Sequence, residues 1–257
     1  MSITKIAVLG GGQMGAGIAH ATASRGIEVA LIKATPGSSF AARSGIEKNL
    51  ERLVGKGKLS EEDAEATLGR ITFTDDLGAA ADAGLFVESI IEDLETKRQK
   101  FAEVDKIAGS DCIFASNTST LGISAMQSAT DRAERFVGLH FFNPATMMKL
   151  VEVIPTDTTD PAVTAALITF VEQIGKTPVL VKDSTGFIVN RLLTPYMCDA
   201  IRALEVGLAD ISGIDTAMQL GANHPMGPLA LADYIGLDIV CAMADNLHSS
   251  FGLDYMA

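Results

Sequence analysis

Short apolar and β-branched runs alternate with amphipathic stretches through the first two thirds of the chain. The strand-like runs lie at positions 3–9, 28–32, 71–74, 85–88, 112–115, 136–140, 150–155 and 178–181. Helical patterns lie between them, at positions 14–24, 39–53, 94–108 and 161–174. Ser60, followed by three acidic residues, is typical of a further helix N-terminus. Strands that alternate with helices predict βαβ units on a mostly parallel sheet that is covered on both faces.

The pattern changes near Asp183. From Gly186 onward the chain shows helical periodicity with Gly and Pro punctuation and no convincing strand. A length of 257 residues fits two domains more comfortably than one. We therefore predict a larger α/β domain over residues 1–184 and a smaller all-α domain over residues 185–257.

A glycine-rich loop links the first predicted strand to the first predicted helix. Gly10, Gly12 and Gly15 have the spacing G-x-G-x-x-G. In this context the first glycine allows a tight turn, the second lets the backbone approach a pyrophosphate, and the third lets helix and strand pack closely. The helix N-terminus offers N–H groups to the phosphates. We expect a Rossmann-type domain whose cofactor-binding loop consists of Gly10, Gly11, Gly12, Gln13, Met14 and Gly15.

The end of the second predicted strand departs from the usual dinucleotide-binding pattern. An acidic residue about twenty positions after the glycine loop normally binds the adenosine ribose hydroxyls. Lys33 stands there, followed by Thr35, Ser38 and Ser39. A lysine cannot accept those hydrogen bonds, but its charge attracts a 2′-phosphate. Two cofactor hypotheses stay open: the protein accepts NADP(H), or it binds NAD(H) with a weakened ribose contact. A solvent-facing Lys33 that touches no cofactor is a third interpretation.

Composition and charge narrow the function classes. Apolar residues make up 47% of the chain and charged residues 20%, which excludes a disordered or fibrous protein. A net charge of −12 argues against nucleic-acid and anionic-membrane partners. The absence of a long apolar run and of a signal pattern predicts a cytoplasmic protein without membrane contact. Neither the three cysteines nor the four histidines have the spacing of a metal site, so we expect none.

Linked motifs along the chain identify a resemblance to a known family. They include Ala115-Ser116-Asn117-Thr118-Ser119, His140-Phe141-Phe142-Asn143-Pro144 and the run at 183–191. Together with the glycine loop and the segments 213–218 and 224–228, they make the chain similar to the L-3-hydroxyacyl-CoA dehydrogenases, and most similar to the short bacterial 3-hydroxybutyryl-CoA dehydrogenases. Two features depart from the family pattern. Lys33 replaces a usual aspartate, and the sequence stops at Ala257, before a further helical segment usual in the family.

The resemblance implies an oxidoreductase of fatty acid or short-chain acyl-CoA metabolism. It implies interconversion of (S)-3-hydroxyacyl-CoA and 3-ketoacyl-CoA by hydride transfer with NAD, at a site in the cleft between the domains. It also implies a homodimer formed through the C-terminal helical domain. The implied catalytic residues are His140, Glu152, Ser119 and Asn190. The implied cofactor contacts beyond the glycine loop and Lys33 are Glu92, Lys97, Ser119 and Asn143.

His140 and Glu152 are expected to form a base and its orienting carboxylate. Imidazole titrates near physiological pH, so His140 is the best candidate for the base that takes a hydroxyl proton. If the strands at 136–140 and 149–154 pair antiparallel about position 146, the two residues stand directly opposite each other. Opposed side chains in such a pair have Cβ atoms about 4.5–5.5 Å apart. Glu152 then holds one imidazole nitrogen and stabilises the imidazolium.

A basic stripe follows one face of the second predicted helix. Lys48, Arg52 and Lys56 recur every four residues, and Lys58 lies just beyond. Coenzyme A carries several phosphate charges, and an otherwise acidic protein needs local cations to bind them. The resemblance places coenzyme A contacts at Asn49, Arg52, Lys56 and Ser119. A solvated charged face without a ligand is the alternative.

Two rival functions stay open at the level of sequence. One is a dehydrogenase on the same scaffold that acts on a carrier-protein thioester or a sugar acid. The other is a dinucleotide-binding protein without turnover, comparable to the lens crystallins that resemble this family. The second is disfavoured by the presence of His140, Glu152, Ser119 and Asn190. Lys33 and the short C-terminus are compatible with it.

Overall fold

The computed structural model describes residues 3–35 and 40–252. The chain divides into two compact units, Met1–Asp183 and Ser184–Ala257. The first unit contains eight strands within the described residues: β1 (Lys5–Leu9), β2 (Glu28–Ile32), β3 (Ile71–Thr74), β4 (Leu85–Glu88), β5 (Ile113–Ser116), β6 (Phe136–Phe141), β7 (Leu150–Pro155) and β8 (Thr177–Leu180).

Six α-helices accompany these strands. They are α1 (Gln13–Ala23), α2 (Phe40–Gly55), α3 (Glu61–Gly69), α4 (Leu94–Asp105), α5 (Ile123–Gln127) and α6 (Pro161–Gln173), and short 3₁₀ turns cover Leu77–Ala80 and Ala133–Arg135. Ser60 caps α3 as predicted, because its side chain accepts a hydrogen bond of 3.0 Å from the Asp63 N–H. The short α5 was not predicted.

The eight strands form one sheet in the order β3-β2-β1-β4-β5-β6-β7-β8. Neighbouring strands run parallel except β6 and β7, which are antiparallel. The first six strands have the order of a dinucleotide-binding Rossmann sheet. The predicted fold class is therefore confirmed. The predicted strand bounds lie within two residues of the observed ones.

The core explains why β-branched runs dominate these strands. Parallel strands that carry helices on both faces bury both sets of side chains, so continuous apolar runs replace an alternating pattern. Ile6, Val8, Val87 and Val137 are all fully buried in one apolar cluster. Cys112, next to β5, is a free and buried thiol, and burial raises its pKa to about 11. This thiol therefore stays protonated and unreactive at neutral pH.

The second unit is helical throughout its described part. It contains α7 (Val189–Glu205), α8 (Ile211–Gly221), α9 (Pro228–Ile235) and α10 (Leu237–Phe251). Its small core includes Met197, Ala232 and Val240. Asp215 on α8 caps the start of α9 by accepting from the backbone N–H groups of Leu229 and Ala230. None of the helices in residues 3–35 and 40–252 has the length and apolar character needed to cross a bilayer.

Candidate active site

The glycine loop forms a tight turn between β1 and α1. Gly10 has a φ of 124°, and a Cβ atom there would lie 2.1 Å from the carbonyl oxygen of Ser89. A Cβ atom on Gly15 would lie 1.9 Å from the Gly10 carbonyl oxygen. Both positions therefore exclude any side chain for reasons internal to the fold.

Gly12 lacks a side chain for a different reason. It is the N-cap of α1, with an ordinary extended backbone (φ −73°, ψ −176°), and a Cβ atom there would meet no described protein atom within 4 Å. The fold would accept alanine at this position, so the space beside Gly12 is available to a ligand. The first turn of α1 presents N–H groups without intrahelical partners to the same space. The loop therefore fits a bound pyrophosphate.

Lys33 follows β2 and borders a cavity of about 240 Å³. The cavity lies where β1, β2 and β3 end, and it is lined by Leu9, Lys33, Ala34, Thr35, Asp75, Leu77 and Lys100. Two lysines and one aspartate thus surround the position expected for the adenosine ribose. The predicted neighbours Ser38 and Ser39 lie outside the described residues.

His140 and Glu152 form a buried, hydrogen-bonded pair at the carboxyl edge of the sheet. The register of β6 and β7 places the two residues directly opposite each other, as the sequence predicts. The Nδ1 atom of His140 lies 2.7 Å from Oε2 of Glu152, and the two side chains are 5% and 1% exposed. An ionised carboxylate only accepts hydrogen bonds, so Nδ1 carries the proton of the neutral imidazole. Nε2 is then the basic nitrogen of this pair.

Asn117 connects the strand that carries His140 with the loop that carries Ser119. Its Oδ1 accepts a 2.8 Å hydrogen bond from the Phe141 N–H, next to His140, and its Nδ2 donates to the Ser89 hydroxyl. Ser119 follows two residues later and is half-buried. In the described part of the chain, no hydrogen bond of the Ser119 hydroxyl is found. The hydroxyl is therefore available to a ligand beside the imidazole strand.

Glu92 and Lys97 lie beside this loop, in a network of charged groups. Lys97 is 1% exposed and forms ion pairs with Glu88 at 2.6 Å and with Glu92 at 3.1 Å. Burial would raise the pKa of the Glu92 carboxyl. The Lys97 charge and hydrogen bonds from Thr118 and Ser119 outweigh this effect and hold the pKa below its usual value. Glu92 is therefore ionised at working pH.

The remaining predicted residues lie on loops and helix ends. Asn143 is exposed in the turn between β6 and β7 and forms a cis peptide bond with Pro144. Asn190 lies in the first turn of α7, in the second unit.

The basic stripe follows the exposed face of α2. Its opposite face packs into the core through Ala42, Ile46 and Leu50. The side chains of the other face are exposed: Lys48, Asn49, Arg52, Lys56 and Lys58. The helix extends to Gly55, as the prediction of a single face requires.

On α2, the acidic residue Glu47 forms an ion pair with Arg43 at 2.8 Å. Arg52 donates a hydrogen bond of 3.1 Å to the Asn49 side chain. Glu47 therefore pairs with Arg43 and does not neutralise Arg52. The charge of Arg52 stays available to an anion.

Two family models match the chain almost end to end. Residues 5–184 match "3-hydroxyacyl-CoA dehydrogenase, NAD binding domain", and residues 186–257 match "3-hydroxyacyl-CoA dehydrogenase, C-terminal domain". The chain belongs to the 3-hydroxyacyl-CoA dehydrogenase family. It is accordingly an oxidoreductase with an NAD-binding domain.

Curated relatives and solved structures agree with this assignment. The chain is 46% identical over 252 residues to the mitochondrial hydroxyacyl-coenzyme A dehydrogenase of Rattus norvegicus, covering 96% of this chain and 80% of the relative. It is 41% identical over 252 residues to a 3-hydroxybutyryl-CoA dehydrogenase of Mycobacterium tuberculosis, covering 97% and 88%. The crystal structure of (S)-3-hydroxybutyryl-CoA dehydrogenase from Ralstonia eutropha superposes with a TM-score of 0.95 at 38% identity, covering 99% and 90%.

The structure adds residues to this dehydrogenase site that sequence analysis missed. Glu88, Ser116 and Thr118 belong to the charged network, and Asn117 links two strand ends. The polar run at the end of the buried strand β5 could have indicated three of them, Ser116, Asn117 and Thr118. Polar residues at the carboxyl ends of parallel strands meet at one edge of the sheet. Glu88 gave no such signal, since it is the last residue of β4 itself and not part of the loop that follows the strand.

Alanine substitutions at two glycines separate cofactor binding from folding. Gly12→Ala should leave the melting temperature near that of the wild type and weaken NADH binding at least tenfold, because the new methyl group occupies ligand space. Gly15→Ala should lower the melting temperature, because its Cβ overlaps the Gly10 carbonyl. Thermal melts and NADH fluorescence titrations measure both effects. A Gly12→Ala protein that binds NADH normally would contradict the placement of the pyrophosphate.

Proposed function

We propose that this chain interconverts (S)-3-hydroxyacyl-CoA, and 3-hydroxybutyryl-CoA in particular, with the corresponding 3-ketoacyl-CoA. The buried His140–Glu152 pair, at the same carboxyl edge of the sheet as a dinucleotide-binding loop, carries the proposal, because oxidation of a secondary alcohol needs a positioned base and a hydride acceptor. The substrates for which the relatives are named support this substrate class.

His140 handles the proton in this reaction. In the oxidative direction Nε2 accepts the hydroxyl proton of the substrate, and Glu152 stabilises the resulting imidazolium through Nδ1. When bound, NAD supplies the acceptor for the hydride that leaves C3 of the substrate. In the reductive direction the same imidazolium returns its proton to the oxygen. The Ser119 hydroxyl and the Asn190 side-chain amide donate hydrogen bonds to that oxygen.

The residues that hold the two ligands follow from the same proposal. The glycine loop, from Gly10 to Gly15, holds the pyrophosphate, and Asn143 joins the cofactor contacts. Asn49, Arg52 and Lys56 bind the phosphates of coenzyme A. Their exposure on one face of α2 supports this role.

A homodimer in the cytoplasm completes the proposal. The second unit exposes large apolar side chains that a partner copy would cover: Leu192 on α7, Val206 and Leu208 between α7 and α8, and Ile211 and Leu220 on α8. Exposed apolar clusters of this kind are typical of interaction surfaces.

Replacement of His140 should abolish most of the turnover. We expect His140→Gln to lower kcat for acetoacetyl-CoA reduction by about 10²- to 10⁴-fold, the usual loss for a positioned acid–base group. Glu152→Gln should lower kcat less, because its amide oxygen still accepts from Nδ1–H. Absorbance at 340 nm follows the reaction, and His248→Gln is the matched control. Near-native turnover of His140→Gln would disprove the assignment of the base.

Charge reversal on α2 tests the coenzyme A contacts. Arg52→Glu and Lys56→Glu should each raise KM for acetoacetyl-CoA by about tenfold, since a charge-assisted hydrogen bond contributes roughly 1.5–3 kcal/mol. The KM for NADH should not change. Lys106→Glu makes the same charge change on an exposed residue after α4 and serves as the control. If all three variants share the wild-type KM, the stripe is a solvated charged face.

Lys33 is proposed to let the site accept NADPH as well as NADH. Support comes from the cavity beside β2, which Lys33 lines where the second strand ends. Lys33→Asp should therefore lower the NADPH-to-NADH ratio of kcat/KM by about 10- to 100-fold, because a carboxylate repels a 2′-phosphate and accepts from ribose hydroxyls. Parallel assays at 340 nm measure this ratio. A wild-type protein that strongly prefers NADH, with a ratio that Lys33→Asp leaves unchanged, would contradict the proposal.

A further inference from the structure

The loop after β5 is held by a single carboxylate oxygen. Oε1 of Glu92 accepts from the backbone N–H groups of Ser119 at 2.9 Å and Thr120 at 3.1 Å. The same oxygen accepts from the hydroxyls of Thr118 at 2.5 Å and Thr120 at 3.1 Å. Three consecutive residues of the loop therefore take their position from Glu92.

Lys97 fixes Glu92 in turn. Its ammonium group lies between two carboxylates, 2.6 Å from Oε1 of Glu88 and 3.1 Å from Oε2 of Glu92. Lys97 lies in the first half of α4 and is 1% exposed. A buried lysine at this position is retained only with charged partners, because an unpaired buried ammonium is costly.

Glu88 closes the network on the side of the sheet. It is fully buried at the carboxyl end of β4, and its Oε2 accepts a 2.6 Å hydrogen bond from the Ser116 hydroxyl. The Ser116 oxygen accepts in turn from the Thr118 N–H at 3.2 Å. The ends of β4 and β5, helix α4 and the loop at 118–120 are thus joined by charge-assisted hydrogen bonds.

We infer that Glu92, held by Lys97 and Glu88, is a positioning unit that fixes the Ser119 backbone and thereby aims its hydroxyl at the reacting oxygen. This inference rests on the proposed function, in which Ser119 touches that oxygen. It adds a positioning role to the cofactor contacts that the family resemblance implies for Glu92 and Lys97. The ammonium of Lys97 is withdrawn from the surface and engaged by two carboxylates, whereas Glu92 keeps 38% of its side chain exposed.

Loss of the shared cation should displace the loop. In Lys97→Met, Glu88 and Glu92 face each other without a counter-ion, so their repulsion moves Glu92 away from the loop N–H groups. A displacement of about 1 Å in a positioning element lowers turnover up to about 10²-fold.

The test compares kcat with NADH affinity in a double-mutant cycle. Lys97→Met should lower kcat for acetoacetyl-CoA reduction, measured at saturating NADH, by about 10- to 100-fold, a larger factor than any rise in the dissociation constant for NADH. In a Ser119→Ala background the same substitution should cost little, because the group it positions is already absent. Lys106→Met removes an equal charge after the same helix and is the control.

Two kinetic outcomes would overturn the inference. A raised dissociation constant for NADH with unchanged kcat would show that Lys97 acts only in cofactor binding. Fully additive losses of Lys97→Met and Ser119→Ala would show that the network does not act through Ser119. Glu92→Gln, which keeps the acceptor oxygen and loses the ion pair, repeats the cycle if Lys97→Met does not fold.

Hydrogen exchange tests the positioning without turnover. The amides of Ser119 and Thr120 should exchange faster in Lys97→Met than in the wild type, while amides in β1 keep their protection. Unchanged exchange at both loop amides would overturn the inference. Because exchange needs no substrate, it separates a failed positioning role from a failed function: a wild-type protein that does not oxidise NADH with acetoacetyl-CoA would disprove only the proposed reaction.

Discussion

The contact between His140 and Glu152 is the interaction on which the proposed chemistry depends. It exists because β7 reverses direction against β6, which returns an acidic side chain to the edge where the imidazole lies. A register shift of one residue would turn Glu152 to the opposite face of the sheet. The apolar residues that flank it, Val151 and Val153, are fully buried and so oppose such a shift. Core packing and catalytic geometry are thus specified by the same strand.

The burial of charged groups at the carboxyl edge of the sheet also requires an explanation. Glu88 and Lys97 are almost completely buried, and burying such ions is unfavourable unless they are paired and hydrogen-bonded. An apolar pair of the same size would stabilise the fold at least as well. Retention of the ions is consistent with a positioning role, because charge-assisted hydrogen bonds fix direction as well as distance. The loop that carries Ser119 is where that directional control acts.

The sequence predicted features that depend on local pattern. The strands were visible because buried parallel strands are continuous apolar runs, and the glycine loop because its spacing is imposed by backbone contacts. The His140–Glu152 register followed from an antiparallel pair with a short connection.

Features that depend on distant partners could not be predicted. Helix α5 has five residues, and its first N–H groups are capped by Asp183, which is 60 positions away from Ile123. Lys97 belongs to a highly charged helix, and only the fold shows that its side chain is buried beside Glu88.

The tautomer of His140 tests the account most directly. Nitrogen-15 NMR of the imidazole distinguishes a protonated Nδ1 from a protonated Nε2, and Glu152→Gln serves as the comparison. The account predicts that neutral His140 carries its proton on Nδ1, hydrogen-bonded to the Glu152 carboxylate, with Nε2 unprotonated. A neutral imidazole protonated on Nε2 would contradict it, because no base would then face the substrate.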